Sequence, residues 1–216
     1  MLNILYEDNH IIVVVKPYNI PTNLDDSKDD DLLSLIKDYI KVKYHKPNNV
    51  YLGLIHRLDR PVSGVMVFAK TSKAASRLSN QLRLKQIKKE YLAVVEDNNL
   101  KSSDTFRDKL LKNKKTNTTK VDIKGKDSEL SYQVIFRKNN YALVKIQLKT
   151  GRSHQIRVQF SSRNHAIYGD QRYNKNAIVG QQINLFAYKL SFYHPTTKEL
   201  MTFQAKPDYF LIKEDN

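Results

Sequence analysis

The sequence of 216 residues contains no cysteine. That removes disulfides, cysteine-ligated zinc and every mechanism that needs a thiolate nucleophile. Glycine is scarce, six in all, and the six form neither a GxGxxG nor a Walker pattern, so no nucleotide cofactor is expected. Long apolar runs are missing too. The longest near the start, residues 11–15, is far short of the ~20 residues of a membrane span. Glu7 and Asp8 precede it where a signal peptide would be basic. The histidines, His10, His45, His56, His154, His165 and His194, show no HExxH spacing, so no metal site is expected either. The composition is that of a soluble, basic, cytoplasmic protein with no membrane partner.

What the chain does have is positive charge: 37 Lys+Arg against 22 Asp+Glu, a formal net of +15. Its distribution is uneven. Residues 1–31 carry seven acids and two lysines, a net of −5, whereas residues 107–126 carry eight cations and two acids, a net of +6. The basic segment suits a phosphate polymer, bound with steep salt dependence, and it equally suits a solubilising face. Charge alone does not choose between them, and it says nothing about fold.

At roughly 150 residues per domain, the length predicts one compact domain over 1–216, with 107–126 as a basic hairpin or loop insertion within it. Alternation at Leu2, Ile4 and Tyr6 and the β-branched run 11–15 predict two strands, the second buried on both faces and ended by Lys16-Pro17. Leu32, Leu35, Ile36, Tyr39, Ile40 and Lys43 recur at helical spacing, with Asp29, Asp30 and Asp31 at the N-terminal end and Pro47-Asn48-Asn49 as the stop. A buried strand over 65–70 precedes a helix capped by Thr71 or Ser72, with Ala75, Leu78 and Leu82 on its apolar face. Strands follow at 90–95, 130–136, 141–149, 183–193 and 199–205, and a short helix at 153–162 has Ser153 placed to cap it. Many strands, few helices and no regular βαβ alternation predict an α+β fold with a mixed, mostly antiparallel sheet.

Three stretches carry chemistry. In the charged loop 54–64, Asp59 sits between Arg57 and Arg60, and Pro61 stiffens the chain beyond it. A carboxylate beside guanidinium stays ionised and available as a nucleophile, although the same arrangement also serves as a structural ion pair. In the stretch 150–157, Gly151, Arg152 and Ser153 open the short helix. Arg152 and Arg157 bracket His154 and Gln155 there, an arrangement that fits anion contact or an ordinary capped helix. In the third stretch Lys88 and Lys89 lead into Tyr91, a residue that could stack on a base or simply fill a strand's buried face.

Taken in this order, H-R-L-D-x-x-x-S-G at 56–64, K-x-Y-L-A at 89–93 and T-G-R-x-H-Q-I-R at 150–157 resemble the RluA-type pseudouridine synthase family. The resemblance extends to Lys16-Pro17, Gly169-Asp170 and the stretch 192–195, and so covers most of residues 4–205. With it the expected architecture gains helices on the flanks of the sheet and a basic cleft across it. The resemblance implies isomerisation of selected uridines to pseudouridine in structured RNA, ribosomal or transfer, without metal, nucleotide or redox cofactor. By similarity Asp59 is the catalytic aspartate, Tyr91 the tyrosine that stacks near the target base, and Arg157 the arginine that pairs with the aspartate. Arg57 would lie against the RNA, and Arg60, Lys85, Lys88, Lys89, Arg152, His154 and Gln155 are the further RNA-binding candidates. Val62 replaces a common threonine, Asn19 a common glycine, and Asn174 follows Tyr173 where the family often has glycine. These departures bear on loop shape and substrate choice. The chain starts at the first catalytic strand, so an N-terminal RNA-binding module is not expected. A monomer is the default. The competing readings are a non-catalytic RNA-binding protein of this fold and a metal-independent ribonuclease using His56 and His154.

Overall fold

The run Ile11, Ile12, Val13 and Val14 is wholly inaccessible to solvent, as a strand covered on both faces requires. A computed structural model describes residues 2–24 and 29–212. Asp25, Asp26 and Lys28 of the acidic N-terminal stretch lie outside the described residues. In chain order the elements begin with β1 (Asn3–Glu7), β2 (Ile11–Lys16), α1 (Leu32–Lys43), β3 (Gly53–Leu54), β4 (Ser63–Ala69) and α2 (Ser72–Arg83). They continue with β5 (Lys88–Glu96), β6 (Ser103–Asn113), β7 (Thr118–Val121), β8 (Lys126–Lys138) and β9 (Tyr141–Leu148). The last three are α3 (Gln155–Ser161), β10 (Leu185–Tyr193) and β11 (Leu200–Gln204). The class is α+β, as the strand-rich pattern predicts. The chain forms two compact units, one of residues 1–89 with 187–206 and one of 90–186 with 207–216.

In the first unit the strands run β1–β2–β4–β10, with β3 on β4 and β11 on β10. The pairs β1·β2, β2·β4, β3·β4 and β10·β11 are antiparallel. Alternation sends Ile11, Val13, Val65, Val67 and Ala69 to one face, where they pack with Ala74 and Leu78 of α2 and with Leu190 and Phe192 of β10. Thr71 caps α2, its Oγ1 accepting the Ala74 N–H at 3.2 Å. Asp31 caps α1, accepting the Ser34 N–H at 3.2 Å and the Ser34 hydroxyl at 2.6 Å. The helix buries Leu32, Ile36 and Ile40 and is tied to β1 through Glu7, which accepts from Lys43 Nζ at 2.7 Å and from the hydroxyls of Tyr39 and Tyr44. It ends before the Pro47 expected to stop it, because His45 at φ +48 already turns the chain out of the helix.

The second unit is an antiparallel array in the order β5–β9–β8–β6–β7. Within it the lysine-rich segment folds as the β6–β7 hairpin and the start of β8. Its tip at 114–117 is closed by Asn113 Oδ1, which accepts the N–H groups of Lys115 (2.9 Å) and Thr116 (3.3 Å). Phe106, Tyr132 and Phe160 form an aromatic cluster with ring centroids 5.0–5.3 Å apart, fastening α3 to the sheet. One local expectation fails. Ser153 does not cap α3; the N-cap is His154 in a left-handed conformation, φ +53, with no side-chain cap bond. The geometry that lets the His154 ring reach Tyr173 moves the cap one residue along.

Candidate active site

Asp59 sits where a loop anchored on both sides crosses the first unit. On the N-terminal side, Thr22 Oγ1 donates to the Leu58 carbonyl at 2.8 Å and accepts the Leu58 N–H at 3.3 Å. On the C-terminal side, the Val62 N–H closes a turn on the Asp59 carbonyl at 2.9 Å. Beneath it lies Lys16, 0% exposed, whose ammonium donates to the carbonyls of Pro17 (2.9 Å), Ile20 (2.6 Å) and Arg60 (3.0 Å). Burial pushes the Lys16 ammonium down to about 7; the Asp59 charge opposes that fall and the Arg60 charge adds to it. The lysine therefore ties two loops together through three carbonyls and faces the carboxylate electrostatically. Asn19 adopts the left-handed conformation, φ +59, that its replacement of glycine requires, and its Oδ1 accepts from Arg60 Nε at 3.2 Å. Arg60 also pairs with Asp29.

The same loop exposes Arg57 and buries His56. The Val67 N–H donates to His56 Nε2 at 3.4 Å. Burial, with Lys89 adding repulsion, drives the imidazole down to about 3, so it is neutral at physiological pH. The Ser-Gly that ends the motif is steric. Gly64 has φ +133, and a Cβ there would collide with the Ala187 backbone of β10, so only glycine lets β4 and β10 approach. Of the basic run before Tyr91, Lys85 and Lys88 are exposed. Lys89 is half-buried, and desolvation lowers its ammonium.

In the second unit Tyr91 lies on β5 opposite Ile146 and is 6% exposed. Arg157, on α3, is 4% exposed. Its Nε and Nη2 donate to Asp170 Oδ2 (2.8 Å) and Oδ1 (2.6 Å), a fork-to-fork pair that fixes the guanidinium plane. The Tyr173 ring stands 5.1 Å from the Arg157 Cζ. Asp170 can reach the arginine because Gly169, at φ +74, passes tightly against the Gln182 carbonyl, where a Cβ would not fit. Gln155 is buried and committed: its Oε1 accepts from Thr150 Oγ1 (2.8 Å) and Arg152 N–H (3.0 Å), and its Nε2 donates to the Glu129 carbonyl (3.1 Å). Arg152 is exposed, with Nε on the Asp127 carbonyl at 2.9 Å. The structure thus gathers Asp59, Arg57 and Arg60 with Lys16 in one unit, and Arg152, His154, Gln155 and Arg157 with Asp170 and Tyr173 in the other. Lys16, Asp170 and Tyr173 were not among the sequence candidates, although the first two stand in the Lys-Pro and Gly-Asp matches. Among the described residues no three His, Asp or Glu side chains are grouped to hold a metal ion, and no helix is long and apolar enough to cross a membrane.

A family model described as RNA pseudouridylate synthase matches residues 10–162. The chain belongs to this family. Its members are isomerases acting on RNA. Among curated relatives, the ribosomal large subunit pseudouridine synthase C of Buchnera aphidicola subsp. Baizongia pistaciae is 33% identical over 217 residues, covering 95% of this chain and 67% of that protein. The protein of the same name from Buchnera aphidicola subsp. Acyrthosiphon pisum is 38% identical over 177 residues, 80% of this chain and 54% of its own. The uncharacterized RNA pseudouridine synthase YhcT of Bacillus subtilis is 30% identical, covering 94% and 68%. The chain thus spans between about half and two thirds of the length of these pseudouridine synthases. The fold matches human RNA pseudouridylate synthase domain containing 4 with a TM-score of 0.80 at 22% identity, covering 96% of this chain and 90% of that one. It matches the human domain containing 1 protein at 0.76 and 20% identity, covering 97% and 85%.

Proposed function

We propose that this pseudouridine synthase isomerises specific uridines in ribosomal RNA, with transfer RNA as the second substrate class, and that it works in the cytoplasm as a monomeric catalytic domain without a cofactor. In this reading Asp59 is the nucleophile, while Tyr91 stacks near the target base and Arg157 serves the aspartate, as the family resemblance implies. The reaction breaks the N1–C1′ bond of uridine and forms a C5–C1′ bond. The proton on C5 is lost and N1 gains one, so length and mass do not change. The target base leaves its stack at a cost of a few kcal/mol, offset by stacking and hydrogen bonds in the pocket.

The observation that carries this reading is the anchoring of Asp59: Thr22 holds the residue before it, and Lys16 holds the one after and faces its charge. A carboxylate fixed in this way needs little reorganisation as charge develops on the reacting sugar or base. The ribosomal substrate is supported by the names of the relatives, and RNA affinity by the β6–β7 region. There Lys109, Lys112, Lys114, Lys115, Lys124 and Lys126 are exposed, with no ion-pair partner among the described residues. Arg57, Lys85 and Lys88 add exposed cations. Arg60, Lys89, Arg152 and His154 complete the proposed RNA-contact set, and Gln155 supports it by fastening the turn at 150–152 to the Glu129 carbonyl. The test is tritium release from ribosomal and transfer RNA labelled at C5 of uracil, comparing the wild type with Asp59→Asn. Release by the wild type alone is expected. Equal release by both would remove Asp59 from the chemistry, and no release with RNA binding intact would leave an RNA-binding protein.

A further inference from the structure

The lysine-rich hairpin is fastened to the loop that holds Arg157. At its root, Asp108 accepts from Arg163 Nη1 (2.9 Å) and Nη2 (3.0 Å) and from Gln159 Nε2 (2.6 Å) of α3. At its tip, Arg172 Nη1 donates to the carbonyls of Asn117 and Thr116. Between these points the Thr119 N–H of β7 donates to the Tyr173 hydroxyl at 2.8 Å. That hydroxyl also lies 2.6 Å from His154 Nδ1. The phenol oxygen accepts from Thr119 and keeps its own proton, and the His154 tautomer sets which of the two rings donates in the second contact. Desolvation raises the Tyr173 phenol above its ordinary value and keeps that proton in place. The Tyr173 ring covers Arg157, and the N–H groups of Arg172 (3.1 Å) and Tyr173 (3.3 Å) donate to the Asp170 oxygen that grips the arginine. Asp170, Arg172 and Tyr173 therefore hold the Arg157 guanidinium on one side and the hairpin on the other.

We propose that Tyr173 is a positioning residue that couples the seating of RNA on the β6–β7 hairpin to the placement of the Arg157 guanidinium. The inference rests on the proposed function for its chemical readout. The mechanical link itself does not depend on it. Lysine–phosphate contacts at 112–115 pull on β7, and the Thr119–Tyr173 bond carries that pull into the loop that orients Arg157.

Two variants cut the same bond from opposite ends. Tyr173→Phe keeps the ring over Arg157 and deletes the hydroxyl. Thr119→Pro removes the donor on β7, an edge strand where proline is tolerated. With ribosomal RNA fragments as the probe, each variant is expected to lower the single-turnover rate at saturating RNA by roughly tenfold, the scale of one hydrogen bond, while RNA affinity stays within about twofold. Tyr173→Phe also removes the contact to His154, so the double variant should lose no more than Tyr173→Phe alone. Hydrogen exchange supplies a second readout that needs no turnover. In the wild type, RNA should protect the amides of Thr119, Arg172 and Tyr173 together. In Tyr173→Phe it should protect the hairpin alone, with β9 amides unchanged as a folding control. A rate within twofold of wild type in both variants, a loss of affinity equal to the loss of rate, or joint protection persisting in Tyr173→Phe would each overturn the coupling. A wild type silent on every RNA would refute the proposed function, and the exchange pattern would still decide the coupling.

Discussion

Lys16→Met tests the anchoring of Asp59 directly. The substitution keeps the length and much of the volume of the aliphatic stem and removes three buried donors. The carbonyls of Pro17, Ile20 and Arg60 then face apolar surroundings with no partner from residue 16. An unpaired buried carbonyl costs about 1–3 kcal/mol, and the relief from no longer burying an ammonium offsets part of the total. Three such carbonyls, less that relief, set the expected loss at about 3 kcal/mol in urea unfolding at pH 7. Against a typical total of ~5–15 kcal/mol, the variant still folds, with the Asp59 loop loosened and turnover falling more than RNA affinity. A loss below about 1 kcal/mol would mean that the three bonds hold nothing the fold needs.

The same residue predicts a pH dependence. The Lys16 ammonium lies at about 7 in the folded protein against an ordinary value of 10.5. Between these values the unfolded chain keeps a proton that the folded chain has released, so stability rises with pH. The slope is at most ~1.4 kcal/mol per pH unit, and the contribution is flat below pH 7. Lys16→Met lacks this rise. Unfolding free energies of both proteins measured from pH 6 to 9.5 should therefore diverge above pH 7. Parallel curves would show that the three carbonyls keep the proton on the amine throughout, and would refute the depression by burial.

Burial pushes Glu7 up, but hydrogen bonds from Lys43, Lys70, Tyr44 and Tyr39 outweigh it and hold the carboxyl at about 2. Its contribution is present above the ordinary value of 4.5 and is lost as pH falls from there toward 2. Glu7→Gln should therefore cost about 2–3 kcal/mol at pH 7 and flatten the acid limb of the urea midpoint; an unchanged acid limb would count against it. If the six exposed lysines of the hairpin region meet phosphates, log affinity against log salt has a slope of roughly −4 to −5. Lys112→Ala, Lys114→Ala and Lys115→Ala together should reduce that slope by roughly 2–3, and a slope that does not change would remove the hairpin from the RNA interface.

Much of the fold was legible because the signals were local. The β-branched run at 11–15 became β2, the spacing of Leu32, Ile36 and Ile40 became α1, and Thr71 capped α2 as its position suggested. Misses came where a distant partner overrode a local rule. Ser153 has the right chemistry for a cap, but the residue that starts α3 is His154, left-handed at φ +53 and in contact with the Tyr173 hydroxyl. The sequence expectation for Lys16-Pro17 is only the end of the second strand. Lys16 turns inward, because three carbonyls from two separate loops converge on it.

The candidate site shows the same division between residue type and residue partner. A motif marks Asp59 and Arg157 as residues of interest, since their spacing within each stretch is a property of the chain. What holds them is not marked, because no periodicity links position 16 to 59, or 157 to 170 and 173. Asp170 grips Arg157 only because Gly169 can take φ +74 against the Gln182 carbonyl. A single Cβ at 169 would therefore displace the acid that fixes the arginine without touching either residue. Gly169-Asp170 thus joins a glycine held at positive φ against a carbonyl to the acid that grips Arg157.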